Sequence, residues 1–251
     1  ETLKQMAAEK RRSGVSLTTL GFGVDNYNER LMEQLADAGD GNYSYIDNLR
    51  EARKVLVDQL SSTLAVLAKN VKIQLEFNPA QVSEYRLLGY ENRALKREDF
   101  NNDQIDAGEI GAGHTVTALY EIVPKGEKGW LDPLRYQASE KASGKADELA
   151  WLRVRWQAPE GGPSHLVERP VAASDAVPDL AKASDDLRFA AAVAAFAQQL
   201  SGARYTGDFG MKDTLALARN ARGDDPYGLR GEFVQLVELA RSLQTPLARN
   251  P

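Results

Sequence analysis

The residues with the clearest chemical spacing lie in DFNNDQIDAGE. Asp99, Asn101, Asp103 and Asp106 are acidic or amide side chains two or three positions apart, and D-x-N-x-D matches the first three oxygen ligands of a calcium loop. Gln104 stands where such a loop needs Gly for its sharp turn, and Ile110 holds the twelfth position, where a bidentate Glu belongs. A solvated acidic turn ahead of a strand is the simpler account of the same residues. His114 and His165 have no cysteine and no second histidine close by in sequence, so each reads as a turn residue bonded to backbone rather than a ligand or base. Ser16, Ser44 and Ser61 lack any motif that would supply a His–Asp pair, and Gly-x-Ser-x-Gly is absent. GFG at 21–23 has neither the length nor the Lys of a phosphate loop. Asp25, followed by Asn26 and Tyr27, falls beyond the end of a strand, where open α/β sheets place ligands, but a helix-capping turn explains it as well. No residue is assigned a catalytic, cofactor-binding or metal-binding role.

Composition narrows the classes. The chain has 251 residues, enough for one large or two ordinary domains. Hydrophobic content of 43% and charged content of 27% suit a globular chain. The formal charge is −5 with no basic stripe, so nucleic acid is not the expected partner. There is no cysteine, which removes disulfides, thiolate metal sites and a Cys nucleophile but leaves the redox compartment open. The longest strongly apolar run, FAAAVAAFA at 189–197, is too short for a membrane span of about 20 residues. The opening ETLKQMAAEKRR lacks the apolar core of a signal peptide. The expectation is a chain that begins inside a domain, with any targeting signal upstream.

Side-chain rhythm supplies the elements. Leu3, Met6, Ala7 and Lys10 share one helical face, Arg11 and Arg12 suit its negative end, and Gly14 suits the C′ position. Residues 15–22 (VSLTTLGF) read as a strand buried on both faces. Asn26 with Glu29 resembles a capping box for a helix bearing Leu31, Met32, Leu35 and Ala36, ended by Gly39. Residues 42–46 form a second strand. Leu49, Ala52, Leu56, Leu60, Leu64 and Leu67 then predict a long helix. This α-β-α-β-α order is doubly wound, and two parallel strands cannot bury three helices, so it reads as part of a domain.

At Asn70 the period becomes two. Val71, Ile73, Leu75 and Phe77 are predicted to face inward, with Lys72, Gln74 and Glu76 outward. Residues 85–90 (YRLLGY) form the next strand, with Gly89 at a bulge. The stretch 106–124 reads as a Gly-marked turn feeding one long strand over 115–123. Residues 149–157 add another, with Leu152, Val154 and Trp156 in and Arg153 and Arg155 out, and 165–170 a short edge strand. The 125–148 segment is an unusually long loop, hence mobile or functional. Trp130, Tyr136, Trp151 and Trp156 are core candidates, and Trp130 alone has the option of exposure. Three helical stripes close the chain. The first carries Phe189, Val193, Phe196 and Leu200 behind the N-cap Ser184; the second runs over 212–222 and stops at Gly223. The third carries Phe233, Leu236, Val237, Ala240 and Leu243, before Pro246.

LTTLGFG followed by NERLMEQLADAGDGNYSYIDNLREARKVLV resembles the C-terminal half of a von Willebrand factor A domain of the bacterial YfbK type. KNVKIQLEFNPAQVSEYRLLGYENR, DAGEIGAGHTVTALYEIVP and GLRGEFVQLVELA resemble the C-terminal domain of unknown function in that family. The resemblance implies an α+β chain. Residues 1–68 would be the end of an A domain, 69–172 an antiparallel β-sandwich, and 173–251 a helical cap. It implies Mg²⁺ in a complete A domain, held by Asp-x-Ser-x-Ser and later Thr and Asp loops. No Asp-x-Ser-x-Ser occurs here, so no metal-site residue carries over and no cofactor is expected in this chain. The function implied is non-enzymatic: a protein-binding module of the bacterial cell envelope, periplasmic or lipoprotein-anchored. The alternatives are an enzyme with its site in the sandwich or the 125–148 loop, and a purely structural envelope component.

Overall fold

The computed structural model describes residues 2–23, 28–60, 63, 65–90, 94–105, 107–131, 147–202 and 204–244. Asp25, Asn26, Tyr27, Ser61, Leu64, Asp106, Tyr136, Pro246 and most of the 125–148 loop lie outside them. The chain divides into two compact units, one of residues 1–76, 95–116 and 152–169, the other of 77–94, 117–151 and 170–251. These units interleave along the sequence, whereas the expected boundary is a single point near residue 69.

The first unit opens with α1 (Thr2–Arg12), whose end is marked by Gly14 at φ +83°. β1 (Thr19–Phe22) pairs in parallel with β2 (Tyr43–Ile46) across α2 (Glu29–Ala38). This is the doubly wound order that the sequence predicts. The cap of α2 is Asn28, whose side chain accepts from the Leu31 amide at 3.0 Å. The buried Thr19 hydroxyl donates to the Met32 carbonyl at 3.0 Å and ties β1 to α2. After α2 the chain passes against the backbone at Leu17. A Cβ on Gly41 would sit 1.9 Å from the Leu17 carbonyl oxygen, so only glycine fits there.

Two expectations in this unit are corrected. The long helix over 49–67 is instead α3 (Leu49–Arg53), followed by a wider π-type turn over Lys54–Asp58, and Val66 already belongs to a strand. The wider turn rotates the following side chains out of helical phase, and the described leucines do not make one buried stripe: Leu56 and Leu60 are exposed, as is Leu49 ahead of the turn. The first strand is shorter than predicted and is not buried on both faces: Phe22 is 61% exposed, and Val15 and Leu17 are exposed too.

A four-stranded sheet follows, in the order β5-β3-β7-β8, with β3 Val66–Phe77, β5 Gly108–Gly111, β7 Glu148–Gln157 and β8 His165–Ala172. β3 and β5 are antiparallel, and their register slips. Ala68 faces Ile110 and Val71 faces Gly108, so β3 carries an extra residue between them; Asn70, at φ +52°, lies in that bulge. The alternation predicted for β3 holds at its end, where Glu76 is exposed and Leu75 and Phe77 are half-buried, and fails next to the bulge. Lys72 is buried, at 1% exposure, while Ile73 is 44% exposed.

The stretch 106–124 is not one long strand. Gly111 ends β5, Gly113 takes a left-handed turn at φ +77°, and β6 begins only at Leu119 (Leu119–Pro124). β6 pairs antiparallel with β4 (Val82–Leu88) in a separate two-stranded sheet of the second unit. Gly89, at φ +79°, ends β4 rather than bulging it. The sandwich expected over 69–172 thus resolves into two sheets. The second unit also holds α4 (Asp185–Leu200), α5 (Met211–Asn220) and α6 (Leu229–Gln244). Ser184 caps α4 as predicted, accepting from the Leu187 amide at 3.2 Å. Met211, Leu215 and Val237 form a core with Phe196, Phe233, Val234 and Ala240 packed on it. Leu236 and Leu243 of the predicted α6 stripe are exposed instead.

Gly41→Ala is expected to lower unfolding free energy by about 1–3 kcal/mol, because the new methyl must displace the backbone at Leu17. A urea unfolding midpoint equal to that of the parent chain would contradict this close approach.

Candidate functional site

The first unit has a polar centre on the sheet face that the sequence assigns to solvent. Lys72 and Gln74 of β3 and Arg153 and Arg155 of the adjacent β7 all contribute side chains to it. The acidic segment containing a 3₁₀ turn at Arg97–Asn101 is laid over them. The Lys72 ammonium donates to the Asp99 carbonyl at 3.3 Å and to the Asn102 carbonyl. Burying an ammonium is costly unless acceptors surround it, and the turn provides them. The Arg155 guanidinium clasps the Asp103 carboxylate through Nε at 3.2 Å and one terminal nitrogen at 2.9 and 3.0 Å. The Ser164 hydroxyl donates to the same carboxylate at 2.6 Å. Arg153 lies over the buried Phe100 ring, 4.7 Å from its centre, and also donates to Gln74 at 3.1 Å and Glu168 at 2.8 Å.

Part of the calcium-like spacing is engaged within the protein. Two carbonyls of the turn accept from a lysine ammonium, and Asp103 is held by an arginine and a serine. Among the described residues, no three His, Asp or Glu side chains come together as a metal set. The Ser164 hydrogen bond, then the Arg155 contact, holds the Asp103 carboxyl below the usual carboxylate range; Lys72 adds a smaller pull.

The other sequence candidates are dispersed. His114 is exposed in a turn, its amide donating to the Gly111 carbonyl at 3.1 Å. His165 stacks on Trp156, ring centres 5.5 Å apart. Ser16 is exposed and Ser44 half-buried on β2. The sequence reading missed Lys72, Arg155 and Ser164. Charge was the available signal: K-x-Q on one strand and R-x-R on another match an acidic turn better than they match water.

The second unit has its own polar clasp. Arg86 of β4 faces Glu121 of β6 in register and pairs with it, and also donates to Gln198 of α4. Its guanidinium carbon lies 4.2 Å from the Tyr205 ring centre and 5.5 Å from that of Trp130, and its Nε is buried with no acceptor among the described residues. Two β4 positions away, the Glu84 carboxylate accepts from the Trp130 amide at 2.8 Å and the Leu131 amide at 3.4 Å. Gly129 fits beside it because a Cβ there would lie 1.9 Å from a Glu84 oxygen. Trp130 is thus half-buried in the clasp, not a free aromatic.

A family described as "Uncharacterized protein YfbK, C-terminal" matches residues 62–243. A curated relative, "Uncharacterized protein YfbK" of Escherichia coli (strain K12), is 48% identical over 242 residues. The match covers 96% of this chain and 41% of the relative, so the chain spans about two-fifths of that protein's length. Among solved structures, the ArnB paralog VWA2 from Sulfolobus acidocaldarius matches with a TM-score of 0.43 and 14% identity, over 94% of this chain and 59% of that one.

Two outcomes follow for the polar centre. Lys72→Met is expected to cost about 1–3 kcal/mol, from orphaned carbonyls, and more than Ile73→Ala at the exposed neighbour; chemical denaturation showing the reverse order would contradict the inward lysine. Because the Asp103 pKa is depressed on folding, its contribution to stability is present above the ordinary carboxylate pKa and is lost as pH falls through the folded value. Ser164→Ala is expected to raise that pKa, read by carboxyl-carbon NMR, and an unchanged titration would contradict the hydrogen bond's role.

Proposed function

This chain belongs to the YfbK family, and from that premise we propose that it is a protein-binding module, not a catalyst, whose α1–β2 segment is one side of a larger α/β domain. One observation carries the proposal. Phe22, Val15, Leu17, Leu3 and Met6 are all exposed around a parallel strand pair that has two members among the described residues. Parallel sheets are ordinarily covered on both faces, and this much exposed apolar surface marks a place where more polypeptide packs. The E. coli relative is more than twice the length of its matched region, which leaves room for such a partner segment in that protein.

The resemblance of LTTLGFG and the stretch after it to the second half of a von Willebrand A domain supplies the rest. A complete A domain would hold Mg²⁺ through hydroxyl and carboxylate oxygens, leaving one position for a partner's carboxylate. Those ligands would come from outside this chain. The location that goes with this reading is the bacterial cell envelope.

The protein expressed from its whole coding sequence tests both parts. Since these 251 residues lack cysteine, Phe22→Cys gives them a single thiol, and its labelling is followed on the proteolytic peptide that carries residue 22. Maleimide should label it rapidly in the 251-residue chain and at least about tenfold more slowly in the whole protein. Capture of a protein partner by the whole protein should be lost in EDTA and restored by Mg²⁺. Equal labelling would overturn the completed domain, and capture indifferent to metal would overturn the cation-dependent contact.

A further inference from the structure

Within the first unit lies a recess of about 250 Å³ lined by Arg11, Arg12, Asp40, Lys69, Asn70, Asp103, Gln104 and Glu109. Every one of these side chains is polar or charged. Ordinary ligand pockets are mostly apolar, so this one is unsuited to a greasy molecule and suited to a small ionic one. Its lining holds three cations and three carboxylates, and two of those carboxylates are already engaged. Asp40 pairs with Arg11 at 3.1 Å, and Asp103 is held by Arg155 from the sheet behind. Arg12 and Lys69, at the end of α1 and on β3, form no ion pair with a carboxylate among the described residues. They stand beside Glu109, with Lys72 adding positive potential near Asp103.

The backbone around the recess is also unusual. Asp40, at φ +48°, and Asn70, at φ +52°, are two of the four non-glycine residues with positive φ among the described residues, and both line it. Asn70 lies in the bulge of β3, and its side-chain amide is fixed by donation to Gln157 at 2.6 Å. Strained backbone and strand bulges concentrate where side chains are aimed at a ligand.

We propose that this recess binds a small oxyanion, a phosphate or carboxylate group, through Arg12 and Lys69. The guanidinium would give two parallel hydrogen bonds to the anion and the lysine a single point charge. Asn70 and Gln104 offer amide donors at the rim. This site is independent of the cation-dependent contact proposed above.

Inorganic phosphate and succinate, each titrated into the full chain at constant ionic strength, test the inference and separate the two sources of the anion. Saturable shifts of the Asn70 and Gln104 amide resonances are expected with one or both. Arg12→Gln and Lys69→Gln should each weaken binding by about tenfold. Dispersed amide spectra would show that both glutamine variants remain folded. No saturation with either anion, or unchanged affinity in both folded glutamine variants, would overturn the proposal.

Discussion

The first unit depends on a buried ammonium group. Lys72 is 1% exposed, and a cation there must be met by oxygen atoms or it would not stay charged. The turn over Arg97–Asn101 is shaped to meet it with the carbonyls of Asp99 and Asn102. That requirement propagates. Holding the turn in place brings Phe100 under Arg153 and Asp103 onto Arg155 and Ser164. The bulge around Asn70 precedes Lys72 in β3 and sets the phase that turns the lysine inward. It also puts Asn70 in the wall of the polar recess. The irregular register of β3 against β5 thus lies beside a buried lysine, an exposed isoleucine and an ionic pocket.

Much of the element order was legible in the sequence. The order of the crossover β1-α2-β2, β7 and the Ser184 cap each have a local cause, in side-chain period or capping chemistry, although β1 is shorter than expected and Asn28, not Asn26, caps α2. What was not legible depends on residues distant in sequence. No local rule sets the partner register of β3, and a one-residue slip exchanges its faces. The π-type turn at Lys54–Asp58 breaks a leucine repeat that reads as continuous helix. The stretch 106–124 alternates well enough for one strand, yet Gly111 and Gly113 divide it between two sheets. In the site, the acidic turn was visible but its ligand was not: the cation comes from a strand 27 residues before Asp99.

The second unit repeats the theme with an arginine. Arg86 links β4, β6 and α4 while its face is covered by Tyr205 and Trp130. Such cation–π contacts are worth about 0.5–2 kcal/mol each when water is excluded. Both units therefore use a long cationic side chain, held by oxygen acceptors, where an apolar core would ordinarily do the joining. The α1–β2 segment is different in kind. It leaves Phe22, Val15 and Leu17 exposed around its strand pair, beside polar ties such as Arg11 to Asp40 and Thr19 to Met32.

The inward Lys72 can be observed directly. Nitrogen-15 NMR of lysine side chains reports how fast each ammonium exchanges protons with water, and couplings across hydrogen bonds identify its acceptors. The structure predicts a slowly exchanging Lys72 ammonium, coupled to the carbonyl carbons of Asp99 and Asn102. A Lys72 ammonium exchanging as fast as those of surface lysines, with nuclear Overhauser contacts from the Phe100 ring to the Ile73 methyls, would show β3 in the opposite phase and contradict the account.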